Sequence, residues 1–158
     1  MTCEDLNEID ATTIPVGKLL YMIGKGYTIY VNRHICEFGI NTTQLHLLFE
    51  ISHNSDINQE QIAERCNINK GAVARSIKKL EDNGLVKRQI DENNRRQNKI
   101  SLTEKGEEIL EKSTTILHDW EESVILDEGY ISKEMLQKIL KEIAIKTMEL
   151  NLGECKNG

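Results

Sequence analysis

The 158 residues, 39% apolar and 29% charged, have the composition of an ordinary globular chain able to bury one core, which excludes collagen-like, mucin-like and wholly disordered classes. No apolar stretch reaches the roughly 20 residues of a membrane span and no basic-then-apolar leader opens the chain, so a cytoplasmic protein without membrane contact is expected. The net charge of −6 hides a segregation: residues 65–99 carry ten basic and four acidic side chains, a basic middle inside an acidic body.

A single proline, Pro15, and only 4% aromatic residues point to mostly α structure packed through aliphatic side chains. Residues 1–13 are polar and aperiodic and read as a loose lead-in. From Pro15 to Phe38 apolar residues recur every 3.6 positions, and Gly39 ends this first long helix. Its Gly17, Gly24 and Gly26 lower helix propensity, so packing against a closely approaching backbone is expected to hold it.

Asn41 with Gln44, and Asn58 with Gln61, have the spacing of capping boxes and open two helices. The first stops near Asn54 and Ser55, and the second breaks around Cys66 and Asn67 before Asn69 caps a third, with Val73, Ile77 and Leu80 inward and Gly84 at its end. The period then falls from 3.6 to 2 over residues 85–90 and 97–102, two strands around a polar, doubly basic turn at 91–96. Thr103 caps a long helix that fades at 127–129, and Ser132 starts the last one.

Short helix, tight turn, second helix and two-stranded ribbon, in that order, make a winged helix-turn-helix, whose second helix enters the major groove while the ribbon reaches a neighbouring groove. The basic segment coincides with it. The second helix, at about residues 69–83, turns Lys70, Arg75, Ser76, Lys78 and Lys79 outward, all hydrogen-bond donors. The ribbon, at about 86–102, forms the wing.

These residues resemble the MarR family of transcriptional regulators. The segment NQEQIAER at 58–65 is similar to that family's third helix. KGAVAR at 70–75 and LEDNGLVKR at 80–88 look like its recognition helix and first wing strand, and DENNRRQNKISLTEKG at 91–106 looks like its wing and the opening of the next helix. Where the family often carries an Asp ahead of the wing arginine this chain has Asn94, which keeps a hydrogen bond but loses an ion pair.

The resemblance implies that Lys70, Gly71, Ala72, Arg75 and Ser76 face base edges and that Arg96, beside Arg95, enters the minor groove. Lys79 and Lys87, with the helix starts at Thr43 and Asn58, suit phosphates, and Asn69 at the cap of the second helix is counted with the DNA contacts. It further implies a homodimer on double-stranded DNA, with residues 1–40 and 103–158 as dimerisation elements around a DNA-binding domain at 41–102. The expected role is that of a repressor on a pseudo-palindromic operator, released by a small phenolic or anionic effector near Tyr30, His34, His46 and Phe49.

Cys36, His34, His46 and His118 mix metal-ligand types without helical i, i+4 spacing, so no metal site and no cofactor are expected. The four cysteines, Cys3, Cys36, Cys66 and Cys155, form no CxxC pair and read as reduced. Cys66 follows Arg65, whose charge would lower its pKa, yet lone cysteines in helices are mostly buried and inert, and a thiol- or metal-responsive regulator is a variant of the same reading. No HExxH, GxxxxGK or GxSxG pattern occurs, so catalysis is not expected. A winged-helix module that binds protein is the alternative from another class, disfavoured by Arg75, Arg95 and Arg96 on one donor-rich face.

Overall fold

The computed structural model describes residues 3–54, 56–90, 98–125 and 131–154. Two compact units divide the chain, Met1–Trp120 and Glu121–Gly158. The first carries α1 (Cys3–Glu8), α2 (Val16–Ile35), α3 (Thr42–His53), α4 (Gln59–Cys66), α5 (Lys70–Asp82), the strands β1 (Val86–Ile90) and β2 (Asn98–Leu102), and most of α6 (Glu104–Val124). Helix α7 (Lys133–Glu154) lies in the second. This is the expected mostly helical fold with a hairpin wing.

Local chemistry sets the helix starts. The Asn41 carboxamide oxygen accepts from the Gln44 amide N–H at 2.9 Å while the Gln44 side chain accepts from Asn41 N–H at 3.0 Å. Asn58 and Gln61 repeat this reciprocal box at the same distances. Asn69 accepts from Ala72 N–H at 2.8 Å and caps α5. Helix α2 tightens into a 3-10 turn at Cys36–Phe38 before Gly39, and α4 stops on a left-handed Asn67.

One expectation fails. Residues 1–13 include α1 and a 3-10 turn at Ala11–Thr13, where Asp10 accepts from Thr12 N–H at 2.9 Å. Short capped turns of this kind leave no apolar period to detect, and Glu4 and Asp5 favour the first turn of α1 through its dipole. The turn at 91–96 and the fading end at 127–129 lie outside the described residues, with α6 regular to Val124.

One hydrophobic cluster joins the elements of the first unit: Val31 and Ile35 of α2, Leu45 and Leu48 of α3, Ile62 of α4, Val73, Ile77 and Leu80 of α5, Ile100 of β2 and Ile109 of α6. Each inward residue removes an apolar side chain from water, worth about 1.5–3 kcal/mol for a fully buried Leu or Ile. Tyr27 and Trp120 meet edge to face, 4.9 Å between ring centres, and hold α2 to α6. The ribbon pairs Val86 with Leu102 and Ile90 with Asn98, and Ile100 N–H also donates to Ile57 C=O at 2.8 Å, anchoring the wing to the α3–α4 link.

Three consecutive residues after α5 tie these parts together. The Asn83 side-chain amide donates to Gly39 C=O at 3.2 Å, and Lys105 donates to Asn83 C=O at 3.0 Å. The Thr103 hydroxyl donates to Gly84 C=O at 2.6 Å, and Thr103 N–H donates to Leu85 C=O at 3.0 Å. Gly106 N–H in turn donates to the Thr103 hydroxyl at 3.1 Å. A Cβ on Gly106 would stand 2.0 Å from the Leu85 carbonyl oxygen.

In the second unit, Ser132 caps α7 by accepting from Met135 N–H at 3.3 Å, and Lys133 pairs with Glu121 at 2.7 Å. Gly17, Gly24 and Gly26 of α2 have nothing within 4 Å of where a Cβ would stand, so among the described residues of one chain no backbone crowds them.

Gly106→Ala is therefore expected to destabilise the protein by at least about 3 kcal/mol, since a backbone carbonyl rather than a flexible side chain must move. Gly84→Ala has open space and meets only its φ of 70°, a cost of about 1 kcal/mol. Urea denaturation of both variants checks the ranking; equal midpoints would refute the close-approach argument.

Candidate nucleic-acid interface

Helix α5 buries Val73, Ile77 and Leu80 and turns its other face to solvent. Lys70, Gly71, Arg75 and Lys79 are exposed there, with Ala72 and Ser76 half-buried beside them. The Arg75 guanidinium folds back over the start of the helix, its Nη1 3.6 Å from where a Cβ of Gly71 would stand. Thr43 is exposed in the first turn of α3, and the Asn58 and Asn69 side chains cap α4 and α5. Positive helix ends thus accompany each of these predicted phosphate contacts.

Ion pairing sorts the basic segment. Lys70 donates to Glu60 at 2.7 Å and Lys78 to Asp82 at 2.7 Å, Lys99 meets Asp56 at 3.4 Å, and Arg65 pairs with Glu50. Arg88 donates from Nε to Glu81 at 3.1 Å. Among the described cations of 65–99, Arg75, Lys79 and Lys87 are the ones without a carboxylate partner. Arg75 and Lys79 stand one turn apart on one face of α5, and Lys87 projects from β1. Lys70 is exposed, and Glu60 raises its pKa while its own falls, so the lysine stays charged beside the helix start. Arg95 and Arg96, and Asn94 before them, lie outside the described residues.

A profile of the MarR family matches residues 40–97, the segment that holds this geometry. The HTH-type transcriptional regulator SarZ of Staphylococcus epidermidis is 30% identical over 119 residues, 75% of this chain and 74% of that protein. The chain belongs to the MarR family. A crystal structure of MarR superposes with a TM-score of 0.81 at 25% identity, covering 93% of this chain and 99% of that one. The Staphylococcus aureus MepR–DNA complex matches in fold, with a TM-score of 0.72 at 20% identity over 86% of this chain and 96% of that one. The protein is thus a MarR-family transcriptional regulator with a DNA-binding fold, in a family of regulators rather than enzymes.

Of the four residues expected around an effector, Tyr30 and His34 lie on α2 and His46 and Phe49 on α3. Tyr30 and His34 stack on α2 with ring centres 4.1 Å apart, and His34 Nδ1 lies 2.8 Å from Tyr30 C=O. Phe49, without Tyr30, His34 or His46, lines a cleft of about 460 Å³ between α3, β2 and α6 with Ile51, Leu102, Leu110, Glu107 and Glu111. Burial pushes the pKa of His46 down, which favours its neutral form. Among the described residues no three His, Cys, Asp or Glu side chains gather as metal ligands.

At Cys66 burial prevails over the neighbouring charge. Burial first and the Glu50 carboxylate second push its thiol pKa up, outweighing the lowering by Arg65. The adjacent arginine is paired with that same glutamate, a partner 15 residues away that the local sequence does not reveal. A chain keeping Cys66 as its sole cysteine is accordingly expected to react with a thiol reagent at pH 8 several-fold more slowly than a free cysteine peptide, and faster only as pH rises. A rate equal to the peptide's would contradict this.

Proposed function

We propose that the protein is a homodimeric repressor that occupies a pseudo-palindromic operator, each α5 in a major groove and each wing in the adjoining minor groove. The observation that carries this is the set of unpaired cations within residues 65–99: Arg75, Lys79 and Lys87 are the described ones left free there, while the other described cations of that segment are neutralised by carboxylates. Arg75, with Lys70, Gly71, Ala72 and Ser76, reads base edges. Lys79, Lys87 and the helix starts at Thr43, Asn58 and Asn69 hold phosphates, and Arg95 and Arg96 supply the minor-groove contact.

Residues 41–102 form the DNA-reading domain, with 1–40 and 103–158 as dimerisation elements. Exposed apolar side chains support this assignment: Val16, Tyr21 and Ile23 on α2, and Met135, Met148 and Leu150 on α7, each at least 49% exposed in the single chain. A second copy would cover them and give the open glycines of α2 a close neighbour. The effector binds near Tyr30, His34, His46 and Phe49, the last of which lines the cleft between α3, β2 and α6. The two carboxylates and apolar floor of that cleft favour a neutral phenolic ring over an anion.

The test is fluorescence anisotropy of the full chain on a duplex selected from a random pool and on its scrambled version, across a salt series, with light scattering for mass. A dimer with a strong preference for the selected duplex is expected. Arg75→Ala should lose about 1–3 kcal/mol of discrimination at one base pair, whereas Lys79→Ala should weaken all duplexes alike and flatten the salt slope by about one ion. Monomeric protein, or affinity indifferent to Arg75, would overturn the reading.

A further inference from the structure

Arg88 counts as a basic residue of the wing, yet its charge is directed inward. It lies on β1 opposite Ile100, between the exposed Lys87 and Gln89, so strand alternation turns it to the ribbon face that meets the helices. Its Nε donates to Glu81 near the end of α5 at 3.1 Å, and both side chains are mostly covered, 27% and 32% exposed. With its amide oxygen turned toward the guanidinium, Gln59 at the start of α4 accepts from Nη1 and Nη2 at 3.2 and 3.1 Å. One planar fork thus joins three elements: the first residue of α4, the last turn of α5 and the first strand of the wing.

We propose that Arg88 is a positioning residue for DNA binding, which sets the angle of the wing against the recognition helix so that major-groove and minor-groove contacts are made at once. It rests on the proposed two-groove reading and adds a part to it. Among the described residues the backbone bond from within a strand to the rest of the domain is on β2, Ile100 N–H to Ile57 C=O, while β1 is tied to α5 just before its start, through Leu85. The Gln59–Arg88–Glu81 fork fixes β1. A lysine at 88 keeps the charge but carries its three donors on one rotatable nitrogen instead of a planar fork of three, so it cannot hold all three elements.

The sign of one substitution separates this from simple electrostatics. Glu81→Gln removes a negative charge from the DNA-reading domain, so charge alone predicts tighter binding, while loss of the fork predicts weaker binding. On the selected duplex, Glu81→Gln and Arg88→Lys are each expected to weaken binding about tenfold in the full chain. In an Arg96→Ala background, where the wing contact is already lost, the same substitutions should change it less than twofold. Thermal melts of each variant establish that the fold is kept, and Gln59→Ala, which leaves the ion pair, should show an intermediate loss.

Equal or tighter binding by Glu81→Gln overturns the proposal, as does a tenfold loss that persists in the Arg96→Ala background, which would assign Arg88 to α5 alone. If Arg96→Ala itself binds like the parent chain, the two-groove reading falls and the proposal falls with it. A weakened Arg96→Ala beside a neutral Glu81→Gln removes the positioning role only.

Discussion

The fold turns on one backbone contact, the Leu85 carbonyl against Gly106. With only 2.0 Å to a would-be Cβ, α6 can begin where it does because residue 106 has no side chain. The contact is closed by hydrogen bonds to three successive carbonyls, from Lys105 to Asn83, from Thr103 Oγ1 to Gly84 and from Thr103 N–H to Leu85. Through the Asn83 amide the same three residues also hold Gly39 at the α2–α3 corner. The acceptors are backbone carbonyls, which have no rotamers of their own, so the end of this helix is held against the ends of two long helices at positions that cannot rotate away.

Upon this frame the charges are arranged by exclusion. Exposed pairs such as Lys70–Glu60 and Lys78–Asp82 add little stability. Their effect lies elsewhere: they neutralise cations without burying them, so a phosphate can replace the carboxylate with small loss. Arg88 and Glu81 are half-buried, where exchange would strand a carboxylate, and their pairing belongs to the architecture instead. A chain of net charge −6 can therefore keep a cationic face because its carboxylates lie beside some cations and not beside others.

How much of this was legible depends on the range of each interaction. The capping boxes of Asn41 and Asn58, the cap of Asn69 and the left-handed Gly39 and Gly84 act over at most a few residues, and the sequence pattern states them outright. So did the switch from period 3.6 to 2 at the ribbon, and Arg75, Lys79 and Lys87 as outward cations. Cys66 shows the opposite case: its neighbour Arg65 argues for a reactive thiol, while Glu50 and burial, set only by the packing of α3 on α4, decide against it. Gln59 on Arg88 and Asn83 on Gly39 likewise join residues 29 and 44 positions apart, with no periodic trace in the chain. Gly106 was visible as part of a motif, but its reason is a carbonyl 21 residues earlier.

The same contact links the cleft to the recognition helix. Glu107, Leu110, Glu111 and Thr114, which form the α6 wall of the Phe49 cleft, begin one residue after Gly106 on the same helix. A helix transmits displacement along its axis because its hydrogen bonds resist bending. Tilting the first turns of α6 away from α3 must therefore either open the Leu85–Gly106 contact, breaking the Thr103 hydrogen bonds, or carry Leu85 with it. Leu85 N–H is bonded to Leu80 C=O at 2.9 Å, so carrying Leu85 moves the end of α5. The Leu85–Gly106 contact is thus the covalent and hydrogen-bonded route from the α6 wall of the cleft to the end of the helix that carries Arg75 and Lys79.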